Sequence, residues 1–138
     1  MKLAINIKIS PQVVLSTTWI FVLVNMIYAD ILGTLKSGYL ENLESLSSTL
    51  SEETVLAFAL FMEVPIVMIL LSRILNRKAN RIVNMIGAVL SILWVVVPAT
   101  ITSLGTTPLS YVFFASVETA AMSFIIWYAF NWPKTDPS

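Results

Sequence analysis

The chain contains no cysteine and no histidine. The first absence excludes disulfides, thiol nucleophiles and thiolate metal sites. The second removes the commonest metal ligand and general base. Charge is scarce as well. Only 12% of the 138 residues are Asp, Glu, Lys or Arg, against about 25% in a soluble domain. No phosphate-binding loop, metal-spacing motif or catalytic triad is present, so no cofactor is implied. Nothing in the charge pattern implies a nucleic-acid partner.

What is there is apolar: 57% of the residues are hydrophobic and mean hydropathy is +0.85. A helix needs about 20 apolar residues to cross the ~30 Å hydrocarbon core of a bilayer. Four segments qualify, at 13–35, 53–75, 81–102 and 109–130. They leave too little sequence for a separate soluble domain. The expectation is one membrane domain, all-α, built as a four-span transmembrane bundle in the lipid bilayer. The arm MKLAINIKISPQ lacks the compact apolar core and cleavage site of a signal peptide, so the first segment reads as a retained span. Pro11 suits the first turn of a helix, where a missing N–H costs nothing.

The stretch Leu56–Val89 organises the rest. Two apolar helices meet there at a short basic turn, so they should be antiparallel neighbours. Pro65 lies within the second span, where neighbouring helices can tolerate it, and a kink is expected beside Glu63. Asn84, Gly87, Ser91, Trp94 and Pro98 recur at steps of three and four in the third span. Ala115, Thr119 and Ser123 do so in the fourth. Small residues at such spacing let membrane helices approach closely. The segment 36–52 is an outward loop containing YLENLESLSSTLSEE, whose Leu40, Leu43, Leu46 and Leu50 form a rough helical stripe. It reads as a short amphipathic helix, at the membrane surface or, given its acidity, packed on the bundle.

Net charge is zero, with eight basic and eight acidic residues, but the charges are segregated. Lys2, Lys8, Arg73, Arg77, Lys78, Arg81 and Lys134 fall on one side of a four-span layout and only Lys36 on the other. Cytoplasmic loops carry the excess of Lys and Arg. Both termini and the basic turn are therefore expected in the cytoplasm, in a prokaryotic inner membrane. Arg73, Arg77, Lys78 and Arg81 read as topology determinants touching anionic head groups, with Asn80, Arg81 and Asn84 available to cap or cross-link helix ends.

Asp30, Glu63 and Glu118 lie within spans. An acid near the centre of a membrane helix costs about 2.5–3.5 kcal/mol on the insertion scale, so such residues normally face the bundle interior. Helical rise puts Glu63 and Glu118 near mid-depth and Asp30 further out. A single cavity in the outer half would hold all three, with Asn25, Tyr28, Tyr111 and Trp94 as further lining. No Lys or Arg lies at that depth. Three neighbouring acids in a low dielectric cannot all stay ionised. Either most are neutral and donate hydrogen bonds within a structural network, or a cation from outside joins them.

The segments WIFVLVNMIYAD, FMEVPI, LSRIL, NRIVN and WYAFNW resemble a group of small bacterial and archaeal membrane proteins, similar in layout to the DoxX-like four-helix proteins. The resemblance covers nearly the whole chain. It implies a four-helix membrane fold and carries no activity, so it assigns no role to Glu63 or Asp30. The leading functional expectation is non-enzymatic: binding of a small ligand or cation by the buried acids, related to transport, in a homodimer if transport operates. The second is an interaction subunit of a membrane complex, associating through the small-residue faces of spans three and four. The third is a lipid-modifying enzyme with a buried acid as proton donor.

Overall fold

A computed structural model of the chain describes residues 9–101 and 109–132, apart from the side chains of 97–101. The segment with Lys2 and Lys8, the side chain of Pro98, residues 102–108 and the segment with Lys134 lie outside the described residues.

All regular structure among the described residues is helical. Ser10 opens α1 (Pro11–Thr34): its hydroxyl accepts from the Val13 N–H at 3.4 Å, and Pro11 fills the first position. Gly38 then takes a φ of 78°, a left-handed turn open to glycine without steric cost. It leads into α2 (Tyr39–Ser47). Ser51 starts α3 (Glu52–Ile74), accepting from the Thr54 N–H at 3.3 Å, with Glu52 and Glu53 at the positive end of the helix dipole. α3 runs unbroken through the buried Pro65. Asn76 turns the chain and accepts from the Ala79 N–H at 3.1 Å, starting α4 (Arg77–Ile101). α5 (Leu109–Phe130) completes the fold.

The four long helices have 22 to 25 residues. At 1.5 Å per residue they extend about 33–38 Å. Each is long and apolar enough to cross a membrane, the layout of a multi-pass membrane protein. They close into a ring in chain order: α1 and α4 each pack against both α3 and α5.

Leu15, Ser16, Trp19 and Val22 of α1, Met68 and Ser72 of α3, Asn80, Asn84 and Ala88 of α4, and Met122, Ile125 and Ala129 of α5 are all buried. All lie in the half that holds the α3–α4 turn, the basic end. Gly87 lets α3 and α4 close there, since a Cβ at this position would sit 3.1 Å from Met68 Cγ. The small-residue face of α4 is thus spent inside the bundle: Asn84, Gly87 and Ser91 are buried. On α5, the Thr119 and Ser123 hydroxyls donate to carbonyls of their own helix at 2.7 Å. The α4 stripe is therefore used within the bundle, whereas on α5 Ala115 and Thr119 are half-buried and Ser123 is exposed.

A polar knot ties this half together. Trp19 Nε1 donates to Asn84 Oδ1 at 2.7 Å, and Ser72 Oγ donates to the same oxygen at 3.1 Å. Asn84 Nδ2 donates to the Asn80 carbonyl at 2.9 Å. Asn80 Nδ2 donates to the Ser72 carbonyl at 2.8 Å. α1, α3 and α4 meet at one amide. Nearby, Ser16 Oγ donates to the Ile69 carbonyl at 3.1 Å, joining α1 to α3.

The basic turn has a structural use as well. Arg81 donates from Nε to the Ala129 carbonyl and from Nη2 to the Phe130 carbonyl, both at 2.8 Å. Arg77 Nη2 donates to the Trp132 carbonyl at 2.9 Å. The last carbonyls of a helix lack intrahelical donors and carry its negative dipole end, so these guanidiniums latch α4 to the end of α5. Only Arg73 and Lys78 are exposed. α2 corrects an expectation. It buries none of its residues, and Leu40, Leu43 and Leu46 are exposed. Its contact with the bundle is the Tyr39 ring beside Gly33. An acidic helix does not need to pack if its leucines have an interface to lie on.

Replacing Asn84 by Ala orphans the Trp19 indole N–H and the Ser72 hydroxyl in a dry site. Interhelical hydrogen bonds in membranes average only ~0.6 kcal/mol, but an unsatisfied buried group costs about 1–3 kcal/mol. The expected loss is about 2 kcal/mol, read as a lowered unfolding midpoint in detergent with a shift in tryptophan fluorescence. An unchanged midpoint would rule out the knot as a source of stability.

Candidate functional site

The half of the bundle nearer α2 contains a cavity of about 210 Å³ between α1, α4 and α5, with Met62 of α3 at one side. Asp30, Glu118, Tyr111 and Trp94 border it. Met26, Met62 and Phe114 supply much of the apolar wall. Asp30 and Tyr111 are exposed, whereas Glu118 is only 4% exposed. The cavity therefore leads from an accessible carboxyl to a buried one. Glu118 is nine residues into α5 and Asp30 four residues from the end of α1. Helical rise then separates them in depth by roughly 8 Å.

Glu118 is the unusual member. Among the described residues its carboxyl forms no hydrogen bond or ion pair; its oxygens are not among the fully buried unpartnered atoms, Arg77 Nε and Ser91 Oγ, and they open into the cavity. Buried carboxyls are normally hydrogen-bonded or paired. One turn of α4 from the cavity residue Val95, Ser91 is also buried with its hydroxyl unpartnered among the described residues. The Tyr111 hydroxyl makes a long contact, 3.5 Å, with the Val95 carbonyl. Trp94 is held from outside the cavity: Phe61 stacks on it with centroids 4.8 Å apart, and Phe58 meets it edge-on at 5.2 Å.

The expectation of one cavity for three acids is corrected. Glu63 is exposed on the outer face of the bundle, in a groove of about 320 Å³ between α3 and α4 walled by Leu60, Val67, Ile86 and Leu90. Successive helical residues diverge by about 100°, so Met62 reaches the cavity while Glu63 turns away from it. Asn25 and Tyr28 do not border the cavity either. Asn25 Nδ2 donates to the Phe21 carbonyl of its own helix at 2.9 Å, and Tyr28 is 57% exposed. Sequence reasoning missed the two methionines and Phe114. Met26 lies four residues before Asp30 and Phe114 four before Glu118, a same-face spacing that identifies both once the acids are taken as lining.

A scan against family models matches residues 3–138 to DUF6326, described as a family of unknown function. The chain belongs to DUF6326. No curated protein and no solved structure matches it. The DoxX-like layout therefore has no support from these comparisons, and membership in DUF6326 brings no assigned activity.

A buried carboxyl without a protein partner costs the fold. Replacing Glu118 by Leu should leave the protein folded and raise its unfolding midpoint, by an amount equivalent to about 1–2 kcal/mol, because apolar replacement removes the desolvation cost. Glu118→Gln should change stability little. A Glu118→Leu protein that unfolds at lower temperature than the parent would mean that the carboxyl holds the helices together instead.

Proposed function

We propose that this protein binds a small cationic ligand in the cavity bordered by Asp30 and Glu118. The observation that carries this reading is Glu118, a residue only 4% exposed that borders the cavity and whose carboxyl forms no hydrogen bond or ion pair with the described residues. A cation is the complement of such a group in a low dielectric. Asp30 would attract the ligand at the mouth, and Glu118 would hold it. The seven-to-one distribution of basic residues supports an inner-membrane orientation with the basic end and both termini in the cytoplasm. In that orientation the Asp30 mouth faces outward, and the knot and arginine latch close the cytoplasmic half. This is the arrangement of an externally loaded binding site, as a transport-related protein would use.

A ligand that binds only the folded protein raises its stability by RT ln(1 + [L]/Kd), about 2.7 kcal/mol at a hundredfold excess over Kd. The thermal midpoint of the purified protein should therefore rise with at least one member of a panel of monovalent cations, divalent cations and lipophilic amines. The rise should vanish in Glu118→Gln and shrink in Asp30→Asn. A parent whose midpoint responds to none of them, or responds equally in Glu118→Gln, would end the proposal.

A second reading, an interaction subunit, draws on Glu63. An exposed carboxyl at mid-span in an apolar groove needs a partner within the bilayer. A second copy of the chain fits: a neutral carboxyl both donates and accepts, so it complements itself across a two-fold axis. The chain has no cysteine, so single-cysteine variants give a clean test. Leu60→Cys should form a disulfide-linked dimer in native membranes, while Ile20→Cys, on the exposed face of α1, should not. Equal cross-linking at both positions, or none at either, would count against a homodimer through this groove.

A further inference from the structure

Resting on the reading of the cavity as a cation site, we infer that its ligand is an organic ammonium ion and not a metal ion. The composition of the wall decides between them. Calcium takes six to eight oxygen ligands and magnesium a near-octahedral set, waters included, so a metal ion brings a bulky polar shell that the wall must accommodate. The cavity side chains offer two carboxyls and one phenol. Among the described residues no group of three or more His, Cys, Asp or Glu is placed to hold a metal. The two carboxyls are carried at backbone depths that differ by roughly 8 Å along the helices. An elongated ligand can lie along the path from Asp30 to Glu118.

The rest of the wall suits the body of such a ligand. Trp94, Tyr111 and Phe114 present aromatic rings, and Met26 and Met62 present thioethers. An aromatic face attracts a cation lying within about 6 Å of its centroid, most strongly where water is excluded, and indole is the best of the three ring types. A strongly hydrated inorganic ion gains nothing from methionine and phenylalanine, whereas an alkyl or aryl ammonium buries its carbon surface there. Trp94 is also fixed beforehand by Phe58 and Phe61 of α3, so the ligand need not order it. The volume of about 210 Å³ falls below the ~300 Å³ at which drug-sized pockets begin. The ligand class is therefore a small ammonium carrying one ring or a few short alkyl groups.

The test is equilibrium binding of radiolabelled benzyltrimethylammonium to the full chain in lipid nanodiscs. This probe keeps its charge at any pH, so its own protonation cannot enter the result. Competitors are sodium, potassium, magnesium and calcium ions, and neopentylbenzene, the uncharged carbon isostere of the probe. The expected result is saturable binding that no inorganic cation and no neutral isostere displaces at tenfold excess. It should weaken about tenfold in Trp94→Leu, persist in Trp94→Phe, and fall by about a hundredfold in Glu118→Gln. Displacement by an inorganic cation, with Trp94→Leu as tight as the parent, would overturn the ammonium assignment and leave a cation site standing. Displacement by neopentylbenzene would overturn it in favour of an apolar pocket. No binding of the probe or of any competing cation that depends on Glu118 would overturn both the assignment and the reading beneath it. The competition arms use the parent protein alone, so they decide the matter even if a Trp94 variant fails to fold.

Discussion

Hydrogen bonds converging on the Asn84 amide hold together the half of the bundle that is well packed. In water, apolar helices associate because water expels them. In a bilayer that drive is absent, since lipid tails are as apolar as leucine, and packing and polar contacts must do the work. Asn84 supplies both kinds of help. Its oxygen accepts from α1 and α3 at once, and its nitrogen donates within α4 to Asn80. Gly87, nearly one turn further along α4, lets Met68 close in beside it. One amide and one missing side chain thus set the distances among three helices.

The fourth helix is tied by a different device at the same end. Arg77 and Arg81 reach from the start of α4 to the carbonyls at and beyond the end of α5. Charge-assisted bonds of this kind are about twice as strong as neutral ones. Both devices belong to the basic end. At the other end, α2 touches the bundle through Tyr39 and buries nothing. The cavity lies where the polar glue stops. Glu118 is eleven residues before Ala129, whose carbonyl the latch grips, so α5 acts as a rod that fixes the carboxyl from a point roughly 16 Å away.

Hydropathy and length made the spans readable. The expected 13–35, 53–75, 81–102 and 109–130 differ from the observed helices by at most four residues at any end. The inner face of α4 was also readable, because its polar and small residues stand out in an apolar segment, and Asn84, Gly87 and Ser91 are buried. α3 and α5 are apolar nearly all round, so hydropathy carries no phase for them, and Glu63 and Glu118 look alike in sequence. The signal that separates them is Ser72. Taking this hydroxyl, the one beyond the first turn of α3, as inward-facing puts Met68 and Pro65 on the buried side, at four and seven residues before it. Glu63 then falls about 200° of helical turn from Pro65, on the opposite face. The arginine latch was partly legible, since Arg81 was a candidate to cross-link helix ends. Its target was not, because backbone carbonyls leave no mark in a sequence.

The same arithmetic gives Glu118 its meaning. Met122, Ile125 and Ala129 follow it at four, seven and eleven residues, and all are buried. Each lies within about 40° of Glu118 around the helix. The acid occupies a core position of α5, in register with the stripe that packs against α1 and α4. A polar residue at such a position is retained for packing only if it bonds across the interface, as Asn84 does. Glu118 makes no such bond among the described residues. It gives the bundle neither the apolar contact of a leucine nor the cross-link of an asparagine. Proteins give up stability of this sort at working sites. Asn84 and Glu118 are two buried polar side chains in one ring of helices; the first cross-links three helices, and the second borders the cavity without a cross-link among the described residues.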